Sequence, residues 1–220
     1  NDQKVLSYAE INDTAATVHN VRANTYRTVD DYDVAYYDKT YKLDDVKKVY
    51  FVVEPFSDYK GPAHTFVSFE FTNDVFVSIS VEIRKEQGEH FSPWMGMLRQ
   101  YELTYVVADE KDVVKLRSNF RKDKVFVYPI NTTKEKAISL FTDMLARANK
   151  LREKPEFYNT IFSTCTTNIV RHVNRITPKR IPLSYKVLLP AYSDELAYSL
   201  GLIDTDLSLE DAQKKFYIND

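Results

Sequence analysis

The sequence predicts an α+β domain in which an antiparallel sheet packs against helices. Three observations carry this expectation. Residues 64–83 alternate apolar and polar side chains on both sides of Thr72-Asn73-Asp74, the pattern of a β-hairpin. Ala137, Leu140, Phe141, Met144, Leu145, Ala148 and Leu151 recur at helical spacing behind Thr133, a good N-cap. A second helix opens at Cys165, the only cysteine of 220 residues, with Thr164 as cap and Ile169, Val170, Val173 and Ile176 at helical spacing until Pro178.

Taken in order, residues 1–45 are polar and tyrosine-rich, and read as loops and short strands that wrap the domain. Val49-Tyr50-Phe51-Val52-Val53, ended by Glu54-Pro55, fits a buried central strand. In the hairpin, Val75, Val77, Ile79, Val81 and Ile83 face the core, and Phe76, Ser78, Ser80 and Glu82 face the other side. The three-residue turn sets Phe66 opposite Ser80, Ser68 opposite Ser78 and His64 opposite Glu82, and a slip by one would mix the faces. Residues 84–98 read as a charged loop and a short helix with Trp94, placed to line a cleft. Then come a strand at 101–107, a helix at 110–120 opened by Asp109, a strand at 125–129, the long helix and the cysteine helix. Residues 179–220 form a tail with a short helix near 193–200. The whole is expected to be one domain, with a wrapping segment (1–45), a catalytic core (46–178) and the tail.

Charge and cysteine usage exclude several classes. Thirty Lys plus Arg against 32 Asp plus Glu give a net charge of -2, so no nucleic-acid partner is expected. Four glycines among 220 residues argue against a phosphate-cradling loop. One cysteine makes no internal disulfide, and without paired Cys/His spacings no metal or other cofactor is expected. There is no apolar run of about 18 residues and no leader at Asn1. The absence of an initial Met suggests an excised part of a longer protein whose membrane anchor lies elsewhere.

The chemistry-bearing candidate is Cys165. In the first turn of a helix, free N–H groups and the positive end of the dipole favour a thiolate and can receive an oxyanion. A lone cysteine is also commonly a small buried hydrophobe, but Ser163, Thr164, Thr166, Thr167 and Asn168 make this turn rich in hydrogen-bonding groups, as a partly wet turn would be. A thiol nucleophile needs a base, and the base an orienting partner. His172 lies two turns on, about 10 Å away by helix rise, and His19 and His90 have no partner readable in the sequence. His64, facing Glu82, remains. The expected catalytic set is Cys165 as nucleophile, His64 as base and acid, and Glu82 as orienter, with Ser80 replacing it if the register moves by one pair. Tyr158, Asn159 and Asn168 either position substrate or cap and brace the helix, and Trp94 is the expected cleft residue.

Four segments carry a resemblance: Gly61-Pro62-Ala63-His64-Thr65-Phe66, Ile79 to Glu86, Arg99-Gln100-Tyr101-Glu102-Leu103, and Phe157-Tyr158-Asn159 leading to Cys165-Thr166-Thr167-Asn168. Together they resemble the Lnb N-terminal periplasmic domain family, known after a Bacteroides-type lipoprotein N-acyltransferase, over about residues 18–210. A histidine on a strand before a cysteine on a helix also resembles circularly permuted papain-like hydrolases and acyltransferases. The resemblance implies thiol acyl transfer through an acyl-cysteine, with a phospholipid as acyl donor and a lipoprotein amine as acceptor, at the outer face of the bacterial inner membrane. Hydrolysis of an amide or ester shares the first step. An apolar groove beside Cys165, with Trp94 and Met97, would favour acyl transfer. A buried thiol, or a His64 that points away, would favour a non-catalytic periplasmic binding module.

Overall fold

The computed structural model describes residues 5–56, 61–84, 101–159, 162–178 and 180–219. At its centre are strands β7 (Ala63–Phe71) and β8 (Val75–Arg84), joined by a tight turn at Thr72–Asp74. Asn73 and Asp74 take φ of 60° and 55° there, a left-handed backbone that Asn and Asp tolerate because their short side chains bond locally. The register is the one the alternation predicts, with Phe66 opposite Ser80, Ser68 opposite Ser78 and Phe71 opposite Val75.

Strand β6 (Val46–Pro55) flanks β7, β9 (Glu102–Ala108) flanks β8, and β10 (Phe126–Pro129) lies outside β6. The expectation for residues 1–45 needs correction, because they build sheet rather than wrap it. β1 (Tyr8–Ile11), β2 (Ala15–Arg22) and β5 (Tyr36–Lys42) are members of the eight-stranded sheet, while β3 (Thr25–Tyr26) and β4 (Tyr32–Asp33) pair separately. Their alternation is hard to read because β2 bulges between Val18 and Val21, where Asn20 has φ 59°. The sheet is also mixed rather than wholly antiparallel, since β2 meets β9 in parallel at Arg22 and Ala108.

Both faces of the sheet are covered. Helix α1 (Glu110–Lys115) runs on into a wider turn at Leu116–Arg121 and lies over one face. Helices α2 (Lys134–Glu153) and α3 (Cys165–Ile176) lie over the other. Val67, Phe69, Val77, Ile79 and Val81 pack with the α2 stripe in the main core. Phe66, Val52, Val106, Ala108, Val113 and Val125 make a second core under α1. Ser78 and Ser80, on that second face, are therefore buried. All seven residues of the predicted α2 stripe are buried, and Thr133 accepts the Lys136 N–H as its cap. Asn149 of α2 bonds both the N–H and the C=O of Ala9, at 2.8 and 2.7 Å, and so satisfies part of the exposed edge of β1.

The tail holds α4 (Tyr185–Leu188), α5 (Ser193–Ser199) and α6 (Leu209–Phe216). α5 is the helix expected near 193–200. α6 starts at Ser208, which accepts the Asp211 N–H, and stacks Phe216 edge-on against Tyr128 at 5.8 Å. The predicted loop and helix at 84–98, with His90, Trp94 and Met97, fall outside the described residues apart from Arg84.

Phe141 is fully buried and meets Tyr41, Phe69 and Phe71 at ring distances of 5.8, 5.0 and 5.3 Å. Phe141→Ala is expected to cost about 3–5 kcal/mol, read as a lower urea midpoint with an unchanged slope.

Candidate functional site

The start of α3 is built from short hydroxyl and amide side chains. Thr164 accepts the Thr167 N–H at 3.2 Å, and Thr167 Oγ1 accepts the Thr164 N–H at 2.8 Å. This is a capping box with Thr in place of the usual Glu. Asn168 donates to the Thr164 carbonyl at 2.8 Å and to Ser163 Oγ at 3.2 Å. Asn159 accepts the Phe162 N–H at 2.9 Å through its side chain and the Ser163 N–H at 2.9 Å through its carbonyl. These two asparagines thus brace the turn in front of the cysteine. Tyr158 packs against the main core, and its phenol is pushed up by burial and by neighbouring Cys165.

Cys165 is 7% exposed, so the turn is bonded as expected but is not wet at the thiol. Its Sγ lies 3.8 Å from Thr166 Oγ1, which in turn bonds Thr65 Oγ1 at 2.9 Å. That bond ties α3 to β7 through the residue next to His64. Because side chains alternate along a strand, His64 points to the opposite face. There its ring stacks on Phe66 at 5.7 Å, and Arg117 covers the far end of that second core.

The structure therefore brings His64, Ser80 and Glu82 together and leaves Cys165 on the other side of the sheet. His64 Nε2 is 2.7 Å from Ser80 Oγ and 3.9 Å from Glu82 Oε1, and Ser80 donates to Glu82 at 3.0 Å. With the single Ser80 hydrogen directed at Glu82, Ser80 accepts from His64, which fixes the Nε2–H tautomer. Ser80, the fallback partner, is thus the direct neighbour of His64, and Glu82 is one step further. The expected Cys165–His64 pair is not formed, since strand parity assigns the two to different faces.

Two residues that the sequence reading did not single out complete this cluster. Arg117 donates to Glu54 at 2.5 Å and to Glu82 at 3.4 Å. A charge ending an apolar strand, as Glu54 does, was the one available signal. Burial works against the Glu82 carboxylate, but Arg117, Arg22 and His64 outweigh it and hold its pKa near 2. Burial, reinforced by Arg117, takes His64 down to about 3. Burial pushes Glu54 up to about 7 in spite of Arg117.

The other two described histidines, His172 and His19, have structural partners. His172 Nδ1 lies 2.6 Å from Asp143 and its Nε2 lies 2.7 Å from the Tyr105 hydroxyl, so both ring nitrogens are engaged in the core. His19, for which no partner was readable, bonds Asp38 at 2.7 Å. Among the described residues no group of three acidic, histidine or cysteine side chains is arranged to hold a metal ion.

Beyond Cys165, the helix forms the wall of a cavity of about 100 Å³ with almost wholly apolar lining. Thr166, Ile169, Val170 and Val173 supply one wall, and Ile181 and Val187 of the tail supply another. The pocket is partly open to solvent and smaller than the ~150 Å³ that holds one benzene ring.

The His64 shift sets a pH dependence of stability. Its pKa is lowered from 6.5 to about 3 on folding, so its contribution is complete above about 6.5 and is lost as pH falls toward 3. Glu54 has the opposite sign, with stability complete below about 4.5 and lost as pH rises through about 7. His64→Gln isolates the first effect. Relative to this variant, the parent is expected to lose on the order of 2 kcal/mol between pH 6.5 and 5, by urea unfolding across that range. Parallel curves would show that His64 titrates normally in the folded protein.

No curated protein and no solved structure matches the chain. No helix among the described residues is long and apolar enough to cross a membrane. The family profile described as the Lnb N-terminal periplasmic domain matches residues 32–191. That span takes in the hairpin with its buried charges, the capped cysteine turn and α4 at the cavity wall, and the chain belongs to the Lnb N-terminal periplasmic domain family.

Proposed function

We propose that the domain performs thiol-dependent acyl transfer through an acyl-cysteine at Cys165, in the manner of a circularly permuted papain-like enzyme. The observation that carries this reading is the layout of α3. Its first residue is the thiol, and Thr166, Ile169, Val170 and Val173 of the same helix line an apolar cavity. The thiol at the positive end of the helix thus lies one residue before Thr166, where this small apolar lining begins.

In the first half-reaction Sγ bonds the acyl carbonyl carbon of an ester and the ester C–O bond breaks. The alcohol leaves with the proton the thiol gives up. An amine nitrogen then bonds the same carbon, the C–S bond breaks, and the sulfur recovers one amine proton. Water in place of the amine makes the same enzyme a hydrolase. Family membership supports a phospholipid donor and a lipoprotein amine acceptor at the outer face of the inner membrane. Tyr158 borders the thiol, and Asn159 and Asn168 hold its turn in place. In this reading His64 serves as base only after the start of β7, behind Gly61-Pro62, changes face.

A second reading, a non-catalytic periplasmic binding module, is favoured by the separation of His64 from Cys165 and by the buried thiol. Intact-protein mass spectrometry after incubation with phospholipid vesicles separates the two. Acyl transfer predicts an adduct of one acyl chain, cleaved by hydroxylamine and abolished in Cys165→Ser. Its loss in His64→Gln, with folding intact, would mean that the histidine changes face during the cycle. An unmodified parent that still binds a fluorescent fatty acid would establish the binding module.

A further inference from the structure

The turn that begins α3 is crowded with polar side chains, and most of them are spent on the backbone. Thr164 and Thr167 close the capping box on each other, and Asn168 holds the Thr164 carbonyl. Thr166 is different. Its Oγ1 lies 3.8 Å from Cys165 Sγ and 2.9 Å from Thr65 Oγ1 of β7. The sulfur, Thr166 and Thr65 thus form a chain of three groups, and all three residues are buried.

A hydroxyl has one hydrogen to give and two lone pairs to accept with. When the thiol is neutral, its S–H donates to Thr166, which donates on to Thr65. When the sulfur is ionised, both hydroxyls rotate, so that Thr65 donates to Thr166 and Thr166 donates to the sulfur. Neither arrangement requires a heavy atom to move, and the hydroxyls stay paired with each other in both. The second favours the thiolate, because a hydrogen bond donated to a charged group is stronger than one between neutral groups. Other groups are less well placed to do this. β7 and β8 present Thr65, Val67, Ile79 and Val81 to this side, none of them ionisable, and His64 is on the other face, bonded to Ser80. Tyr158, whose phenol is pushed up by burial and by Cys165, is the ionisable neighbour from the preceding segment. His172 lies about 10 Å along the helix and is committed to Asp143 and Tyr105.

We propose that Thr166, oriented by Thr65, donates a hydrogen bond to the Cys165 sulfur whenever it carries charge, on ionisation and again when the C–S bond of an acyl-cysteine breaks. The second of these roles rests on the acyl-transfer reading, and the first on the three contacts alone. Thr65 is a positioning residue, acting through Thr166. It also explains why β7 presents a buried hydroxyl to α3 at a place where its neighbours on that face are aliphatic.

The test reads the thiol itself and needs no acyl donor, so its failure is distinct from that of acyl transfer. The rate of Cys165 alkylation by iodoacetamide is followed against pH in the 220-residue chain. Ultraviolet thiolate absorbance, measured against Cys165→Ser, follows the same ionisation without reagent access. Thr166→Val, which keeps the shape and removes the hydroxyl, is expected to move the midpoint up by about one pH unit, a ~10-fold slower reaction at pH 7. Thr166→Ser is expected to keep the parent midpoint, and Thr65→Val to move it by less than Thr166→Val. The double variant Thr65→Val/Thr166→Val removes both hydroxyls, leaves neither unpaired, and is expected to match Thr166→Val. That match separates loss of the donor from loss of stability. A midpoint unchanged in Thr166→Val and in the double variant would overturn the proposal. A change confined to the limiting rate at high pH would do the same, by showing that Thr166 governs access alone. A shifted midpoint in a protein that forms no acyl adduct would keep Thr166 as the sulfur's donor and remove only its part in acyl transfer.

Discussion

The constraint on which this structure depends is the alternation of the β7–β8 hairpin between two buried faces. In a sheet with one wet face, alternate residues simply go to water. Here each strand residue is committed to one of two cores, and a slip of one position would exchange Phe66 and Ser80 with Val67 and Ile79 throughout. That commitment fixes where α1, α2 and α3 can pack, and it also assigns the candidate site. Thr65 faces α3 and bonds Thr166, while His64, one residue earlier, faces α1.

The face under α1 is the more polar of the two, and its charges are paired. Arg22 clamps Asp112 through two hydrogen bonds of 2.9 and 3.0 Å, and Arg117 links Glu54 to Glu82. Such groups add little net stability over an apolar core, but removal of one partner from a buried pair costs about 3–5 kcal/mol. They act as registration points that hold α1 and its wider last turn in one position. His64 is held neutral within this network by burial first and by Arg117 and Arg121 beside it, against the pull of Glu82. A neutral, hydrogen-bonded histidine with its Nε2 committed to Ser80 is well satisfied as it stands. Its use in catalysis therefore requires the start of β7 to move.

On the α3 face the same logic joins chemistry to packing. The hydroxyl and amide groups that cap α3 are satisfied locally, so the helix can begin inside the protein with its first-turn thiol against the core. Further along, its apolar positions do not fill the space beneath α4 and α5, and a small, partly open apolar pocket remains.

Much of this was legible in the sequence. The α2 stripe, its Thr133 cap, the Thr164 cap, the hairpin register and the central strand all follow from periodicity and capping, which are local properties of the chain. The N-terminal strands were hidden by the Asn20 bulge, and α6 by its shortness of eight residues, although Leu209, Ala212 and Phe216 stand at helical spacing behind the Ser208 cap. The cysteine turn and the His64–Ser80–Glu82 neighbourhood could likewise be derived from spacing alone. Whether the two meet could not. Local pattern fixes which side of a strand a residue occupies relative to its neighbours, but the face on which a distant helix packs is set by tertiary contacts. Only the packed sheet decided that α3 lies over Thr65 and α1 over His64, and that Arg117 and Glu54, far apart in the chain, would join the histidine's side.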